Sequence, residues 1–120
     1  MSKSILQPKS EKVCYLCRLL NVMNKDAEIP YVEEHHAVGG PYRQAAEHYG
    51  LKVNLCVWHH RTGEKAVHRD DEMADLLKKI AQIAFCRKYG YRLWMKTFTK
   101  NYLDEEEKER YLKGVEDVTD

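Results

Sequence analysis

Two short pairs of metal-ligand residues constrain the fold of this chain more than any other feature. Cys14 and Cys17 form a C-x-x-C pair, and Cys56 and His59 form a C-x-x-H pair much later in the sequence. A gap of two residues lets both side chains of a pair face one ion, and four such ligands suit tetrahedral Zn²⁺. A redox pair would need a strand and a helix around the cysteines, which their neighbours do not suggest. Ordinary buried thiols are the other alternative, but the agreement of the two pairs favours one structural zinc site.

The histidines are concentrated in one stretch. All six lie within residues 33–68, and four of them form the consecutive pairs His35–His36 and His59–His60. Imidazole is the commonest metal ligand and the only side chain that titrates unassisted near neutral pH. If one member of a pair binds an ion, its neighbour must point elsewhere, because successive residues of a strand alternate between faces. One member of the first pair can therefore bind a second ion while the other deprotonates a water molecule.

Size and charge limit the class of protein. A chain of 120 residues fits one domain, and no apolar run approaches the length of a membrane span. The N-terminal residues lack the apolar segment of a secretory signal, so we expect a cytoplasmic protein with reduced thiols and no membrane partner. Residues 104–120 hold eight acidic and three basic residues, a net charge of −5, which leaves +6 for residues 1–103 because the whole chain carries +1. This charge is compatible with a polyanionic partner, and also with a solvated surface and an acidic tail.

The patterns predict an α+β fold in one domain. The predicted elements are a strand over residues 27–38, a helix over 41–50, a strand over 51–55, a long helix over 71–88 and a second helix over 91–103. Asp70 suits the N-cap of the long helix, and Gly90 suits its end. We expect a flexible arm over residues 1–12, the folded domain over 13–103 and an acidic tail over 104–120.

The ordered motifs resemble a known family. The succession C-x-x-C, E-x-H-H, L-C-x-x-H-H and V-H is similar to the HNH, or ββα-metal, endonucleases in their zinc-stabilised treble-clef form. The likeness is greatest to the phage-type group that includes the RecA-dependent recombination-enhancement nuclease, and it covers roughly residues 13 to 102. The resemblance implies a small treble-clef domain followed by packing helices. It also implies hydrolysis of DNA phosphodiester bonds in phage recombination, DNA processing or packaging.

The resemblance also implies roles for individual residues. The structural Zn²⁺ would be held by Cys14, Cys17, Cys56 and His59. His36 would be the general base that activates water. A second divalent cation, Mg²⁺, Mn²⁺, Ni²⁺ or Zn²⁺, would be bound by His35, His60 and His68, although the roles of the first histidine pair could be exchanged. One position departs from the family, because many members have an asparagine that braces the base where this chain has Leu51.

The remaining polar residues near the histidines have two interpretations each. Arg43, Arg61, Lys65 and Arg69 are either contacts to the DNA backbone or ordinary surface charges. Glu33 and Glu34 either orient an imidazole or form a solvated strand edge. The expected partners are DNA and a recombinase or another phage or host DNA-processing protein. The alternative function is a non-catalytic zinc-binding module that binds DNA or a protein partner.

Overall fold

The computed structural model describes residues 3–8, 11–20 and 31–111. Residues 3–8 are called the N-terminal segment below. The start of the predicted first strand and the end of the predicted acidic tail lie outside the described residues. The elements in chain order are α1 (Tyr15–Leu19), β1 (Glu33–His36), a 3-10 turn (Gly40–Tyr42), α2 (Arg43–Tyr49), β2 (Lys52–Leu55), a π-helical turn (Trp58–Thr62), α3 (Asp71–Tyr89) and α4 (Tyr91–Phe98). The predicted α+β class is confirmed: a two-stranded sheet lies beside a buried cysteine–histidine cluster and is followed by helices.

The two strands pair in antiparallel orientation. His35 lies opposite Val53, and His36 lies opposite Lys52. Because side chains alternate along a strand and opposite residues share a face, the two adjacent histidines belong to opposite faces of the sheet. This register separates the surroundings of His35 from those of His36.

The connection between the strands is helical and ends at Gly50. It matches the helix predicted over residues 41–50, except that its first turn is a 3-10 turn. Gly50 has a φ of 74°, a left-handed conformation that glycine adopts easily. A Cβ atom at this position would also collide with the carbonyl oxygen of Lys3, and the N–H of Ile5 donates to the Gly50 carbonyl at 2.9 Å. A glycine is therefore needed at position 50 both for the left-handed turn and for the close contact with the N-terminal segment.

The N-terminal segment lies along the edge of β2 that β1 leaves open. Ser4 Oγ donates to the carbonyl oxygen of Lys52 at 2.5 Å, and the backbone N–H of Asn54 donates to Gln7 Oε1 at 2.7 Å. Gln7 is 4% exposed, so its amide acts as a buried substitute for a third strand. Side-chain hydrogen bonds, which sequence patterns do not reveal, attach residues 3–8 to the sheet, and the flexible arm over residues 1–12 stays a prediction.

α3 matches the helix predicted over residues 71–88. The carboxylate of Asp70 accepts a hydrogen bond from the N–H of Met73 at 3.1 Å, which caps the helix, and Gly90 with a φ of 95° follows its last turn. Its buried residues are Met73, Leu77, Ala81, Gln82, Phe85 and Cys86. No helix among the described residues is long and apolar enough to cross a membrane.

α4 packs its aromatic residues against α3. The rings of Trp94 and Phe98 lie 5.4 and 5.8 Å from that of Phe85, and all three side chains are at most 1% exposed. The helix is shorter than the one predicted over residues 91–103, because Thr99 adopts a left-handed φ of 64° and ends it. Large rings provide much of the apolar area that these helices bury.

The chain beyond α4 returns to α3 through a buried glutamine. Gln82, which is 0% exposed, accepts from the N–H of Tyr102 at 2.7 Å and donates to Asn101 Oδ1 at 2.9 Å. Both ends of the amide are therefore paired, as burial of a polar group requires. Where it is described, the predicted acidic tail begins as a helical segment over residues 105–111.

Candidate metal centre

The four predicted zinc ligands meet in one buried cluster. Cys14 and Cys17 lie at the start of α1, Cys56 follows β2, and His59 lies in the π-helical turn. Their side chains are at most 3% exposed. The sulfur atoms of Cys17 and Cys56 are 3.8 Å apart, and His59 Nδ1 lies 3.2–3.5 Å from the three sulfur atoms. We call these residues the zinc cluster.

The distances in the zinc cluster fit a tetrahedral ion. Zn–S bonds of about 2.3 Å and Zn–N bonds of about 2.0–2.1 Å place two sulfur atoms about 3.8 Å apart and sulfur and nitrogen about 3.5 Å apart. The N–H groups of Cys17 and His59 point at the first sulfur of each pair, at 3.4 and 3.5 Å. Among the described residues, His59 Nε2 is buried without a hydrogen-bond partner, a cost that a metal bond at Nδ1 would offset. The cluster therefore indicates a structural zinc site.

The electrostatics of the zinc cluster call for a cation. Burial raises the pKa of Cys17 and of Cys56, and the negative charge of Cys14 raises both further. Burial also opposes ionisation of Cys14, but hydrogen bonds from His59 and from the backbone of Cys56 and Cys17 bring its pKa down to about 6. Because like charges this close repel each other, three thiolates can coexist here only around a positive ion.

Three further histidines form a second group, the histidine cluster. His35 comes from β1, His60 from the π-helical turn and His68 from the loop before α3. The Nε2 atoms of His60 and His68 are 3.1 Å apart, and the ring of His35 lies 5.2 Å from each of the other two rings. The loop is held beside the turn because the N–H of His68 donates to the carbonyl of His60 at 3.3 Å. The structure thus brings together the three residues that the resemblance implied as ligands of a second cation.

Glu33 orients one imidazole of the histidine cluster. His60 Nδ1–H donates to Glu33 Oε1 at 2.7 Å, and Arg61 donates to both oxygens of the same carboxylate at 3.1 and 3.0 Å. Arg61 first, then His60 and Tyr31, lower the pKa of Glu33 to about 2, so the group is an ionised carboxylate that only accepts. His60 therefore carries its proton on Nδ1 and presents Nε2 to the other two histidines. A carboxylate behind an imidazole is the usual support of a metal-binding histidine.

Two imidazoles of the histidine cluster, His35 and His68, have lowered pKa values. Burial, and then the positive charges of His60, His68, His36 and Lys78, lower the pKa of His35 to about 3. Burial, and then the charge of His60, lower the pKa of His68 as well. Neutral imidazole is the form that binds metals, and three of them suit several transition ions.

His36 lies on the other face of the sheet with a different set of partners. Its Nε2–H donates to Glu47 Oε1 at 2.8 Å, and Lys52 Nζ donates to Glu47 Oε2 at 2.7 Å. Glu34 lies on the same face, 3.8 Å from Lys52 Nζ. The two carboxylates and His36 could in principle hold a cation, but the ammonium group of Lys52 already supplies the positive charge. Sequence reasoning did not identify Glu47 or Lys52, since only the folded sheet and α2 bring them to His36.

Most of the basic residues predicted to contact DNA already have partners within the protein. All four side chains are exposed. The partners are Glu33 for Arg61, Asp70 for Lys65 and the carbonyl oxygen of Thr62 for Arg69. Surface pairs of this kind are weak, so they can open for a phosphate. Their role, and that of Arg43 on α2, stays a prediction.

Three other residues have structural roles. Leu51 is buried, and its carbonyl accepts from the N–H of Ala37 at 2.9 Å, which extends the strand pairing by one residue. The side chain of Asn54 donates to the carbonyl of Glu11 at 2.9 Å and so supports the approach to the zinc cluster. Trp58 is 36% exposed, and its ring lies 4.8 Å from that of His59.

Comparisons with protein-family models, curated proteins and solved structures give no match to this chain. The resemblance to the HNH endonucleases therefore rests on the motif residues alone. The geometry supports a zinc site with a cluster of three histidines beside it.

Proposed function

We propose that the protein is a metal-dependent endonuclease that hydrolyses phosphodiester bonds of DNA. His36 is the general base, and His35, His60 and His68 bind a divalent cation. The observation that carries the proposal is that two adjacent histidines are divided between a cluster of three imidazoles and a carboxylate partner. Phosphodiester hydrolysis needs both a base for the attacking water and positive charge near the phosphate. Two successive residues of one strand supply these two requirements.

Each side chain has a definite part in this mechanism. His36 takes the proton of the water through Nδ1, because its Nε2–H is engaged with Glu47 and its Nδ1 makes no hydrogen bond to a described residue. A divalent cation held by the three imidazoles would stabilise the negative charge that develops on the phosphate and on its leaving oxygen. Glu33 keeps Nε2 of His60 available to the cation. The zinc cluster fixes the turn that carries His60.

The proposal includes the biological setting that the resemblance implies. The substrate is DNA, contacted through the exposed basic residues Arg43, Arg61, Lys65 and Arg69, in phage recombination, DNA processing or packaging. A recombinase or another DNA-processing protein is the proposed partner. Backbone contacts of this type are independent of sequence and weaken with salt.

A non-catalytic zinc-binding module is the second candidate. It is favoured by two observations. Most of the exposed basic side chains already pair with groups of the protein itself, and several large apolar side chains are exposed. The exposed residues are Leu19 at 46%, Leu20 at 42%, Tyr31 at 55%, Trp58 at 36% and Tyr89 at 40%. Such side chains suit a protein partner better than a phosphate backbone.

Plasmid cleavage by the intact chain tests the nuclease proposal. Supercoiled DNA is incubated with zinc-loaded protein in the presence of Mg²⁺, Mn²⁺, Co²⁺, Ni²⁺ or added Zn²⁺. The change His36→Ala is expected to lower the cleavage rate by about 10²- to 10⁴-fold, the usual contribution of a general base. Zinc content and far-ultraviolet circular dichroism are expected to stay at wild-type values, because His36 is not a ligand of the zinc cluster.

His48→Ala is the matched control, since His48 is an exposed histidine of α2 outside both clusters. It is expected to cleave at the wild-type rate. Undiminished cleavage by His36→Ala would show that another group is the base. A wild-type protein that cleaves no DNA with any of the cations would favour the zinc-binding module.

A further inference from the structure

Three polar side chains, Lys52, Glu47 and His36, form a continuous chain of hydrogen bonds on the face of the sheet opposite the histidine cluster. We infer that Glu47, held in place by Lys52, is a positioning residue that fixes His36 in its Nε2–H tautomer and directs Nδ1 toward the attacking water. The catalytic part of this inference rests on the proposed nuclease function. The tautomer does not, and it can be measured without a substrate.

The direction of the hydrogen bonds follows from the chemistry of the groups. Hydrogen bonds from Lys52 first, and then from His36, lower the pKa of Glu47 to about 2, so the carboxylate is ionised and can only accept. Its two oxygens have one partner each, Lys52 Nζ at 2.7 Å and His36 Nε2 at 2.8 Å. His36 must therefore carry its proton on Nε2, which leaves the lone pair on Nδ1.

Burial makes this arrangement hard to break. Lys52 is 7% exposed, and a buried ammonium group requires a charged partner close by. Glu47 is the nearer carboxylate at 2.7 Å, whereas Glu34 is 3.8 Å away and 53% exposed. Lys52 thus holds Glu47 against the strand, and Glu47 in turn holds the imidazole, whose side chain is 13% exposed.

The neighbouring Leu51 offers His36 no alternative partner. It is buried, and its side chain has no hydrogen-bonding group. Its backbone carbonyl is already used by the N–H of Ala37. The partner of His36 therefore comes from α2, an element that no motif of the sequence assigns to the site.

The change Glu47→Gln tests the inference because it reverses the chain of hydrogen bonds. The ammonium group of Lys52 can only donate, so the new amide must turn its oxygen toward Lys52 and its NH₂ group toward His36. His36 Nε2 then becomes an acceptor, and the imidazole is expected to change to the Nδ1–H tautomer. The measurement is the pair of ¹⁵N chemical shifts of His36 in the zinc-loaded intact chain at pH 8, with kcat and KM for plasmid cleavage determined in parallel.

The wild-type protein is expected to show the Nε2–H tautomer. Glu47→Gln is expected to show the Nδ1–H tautomer and a kcat lower by roughly 10- to 100-fold, with KM little changed, as for other residues that orient a functional histidine. The double change Glu47→Gln with Lys52→Met frees the amide oxygen to face His36. It is therefore expected to restore the Nε2–H tautomer and part of the lost kcat, which a merely structural role of Glu47 would not predict.

Glu34→Gln is the matched control, because it removes the same charge from the same face without touching His36. It is expected to change neither the tautomer nor kcat. If Glu47→Gln does not retain its zinc, Glu47→Asp serves as the second variant. It keeps the charge but shortens the side chain, so kcat is expected to fall without reversal of the tautomer.

Two results would overturn the inference: an Nδ1–H tautomer in the wild-type protein, or a Glu47→Gln variant with unchanged tautomer and kcat. These outcomes differ from failure of the proposed function. In that case the wild-type protein cleaves no DNA, and the catalytic role of Glu47 is lost with it, although the tautomer still responds to Glu47→Gln.

Discussion

At the scale of single residues, neighbours in the sequence have separate tasks. His35 joins the histidine cluster while His36 binds Glu47, because they alternate across a strand. His59 joins the zinc cluster while His60 joins the histidine cluster, because adjacent residues of a helical turn point in different directions. The surroundings of each imidazole, rather than its position in a motif, determine its chemistry.

His35 is expected to make the stability of the protein depend on pH. Its pKa is about 3 in the folded protein, because of burial and the neighbouring positive charges, and about 6.5 in an unfolded chain. Between these values the unfolded state binds a proton that the folded state does not, so the free energy of unfolding falls as the pH is lowered from about 6.5 toward 3. His35→Gln removes the group that binds this proton, so it is expected to lessen the loss of stability at low pH. Urea unfolding at pH 7.5 and pH 5.5, without added divalent ions, measures the difference.

Gln44→Ala, a change at an exposed side chain of α2 that does not titrate, provides the comparison for this measurement. It is expected to lose as much stability between the two pH values as the wild-type protein. Protonation of the zinc ligands contributes equally to all three proteins and cancels in the comparison. An unchanged pH dependence in His35→Gln would mean that His35 is not buried in its neutral form.

At the scale of secondary structure elements, Gly50 connects α2, β2 and the N-terminal segment. It allows a left-handed turn and a close contact with Lys3, and comparison with Gly39 and Gly40 separates these two contributions to stability. Gly39→Ala is expected to change the free energy of unfolding by less than about 0.5 kcal/mol, because its φ is −107° and the space around it is open. Gly40→Ala is expected to cost about 1 kcal/mol through its φ of +59° alone. Gly50→Ala has both a φ of +74° and the collision with Lys3, so it is expected to cost more. Urea unfolding at neutral pH gives the three values, and equal costs for Gly40→Ala and Gly50→Ala would argue against a tightly packed N-terminal segment.

Some of these elements could be predicted from the sequence and others could not. α3 was predicted within one residue because its cap, its apolar period and its terminal glycine are local signals. The zinc cluster was predicted because its ligand spacing is fixed by the geometry of the ion. The attachment of the N-terminal segment was not predicted, because Gln7 and its partner Asn54 are 47 residues apart and neither belongs to a periodic pattern. The early end of α4 was missed because a left-handed Thr99 leaves no sign in the sequence.

At the scale of the whole molecule, the zinc cluster joins parts of the chain that are far apart in sequence. It links α1 to the end of β2 and to the π-helical turn. Its three cysteines belong to the same hydrophobic core as the aromatic residues of α3 and α4. Removal of the ion would leave three buried thiols and a buried imidazole, none of them well solvated.

Loss of zinc is therefore expected to unfold much of the protein. Binding of structural zinc is worth about 10–16 kcal/mol in small peptides, which equals or exceeds the usual stability of a domain, about 5–15 kcal/mol. Cys56→Ser is expected to bind no zinc and to lose most of its folded signal in circular dichroism. Cys86→Ala is the matched control, since Cys86 is a buried thiol of α3 outside the zinc cluster. It is expected to keep one zinc per chain by atomic absorption, and a folded Cys56→Ser protein without metal would contradict a structural role of the ion.

The π-helical turn (Trp58–Thr62) determines which sequence changes the protein can tolerate. Exchange of an exposed side chain such as Thr62 alters one surface position and leaves both centres in place. Insertion or deletion of one residue between Cys56 and His60 rotates the remainder of the turn, so that the wrong histidine faces the cysteines. Both centres would then fail together. Apart from His59 and His60, the turn is consequently more tolerant of substitution than of changes in length, whereas an ordinary surface loop accepts both.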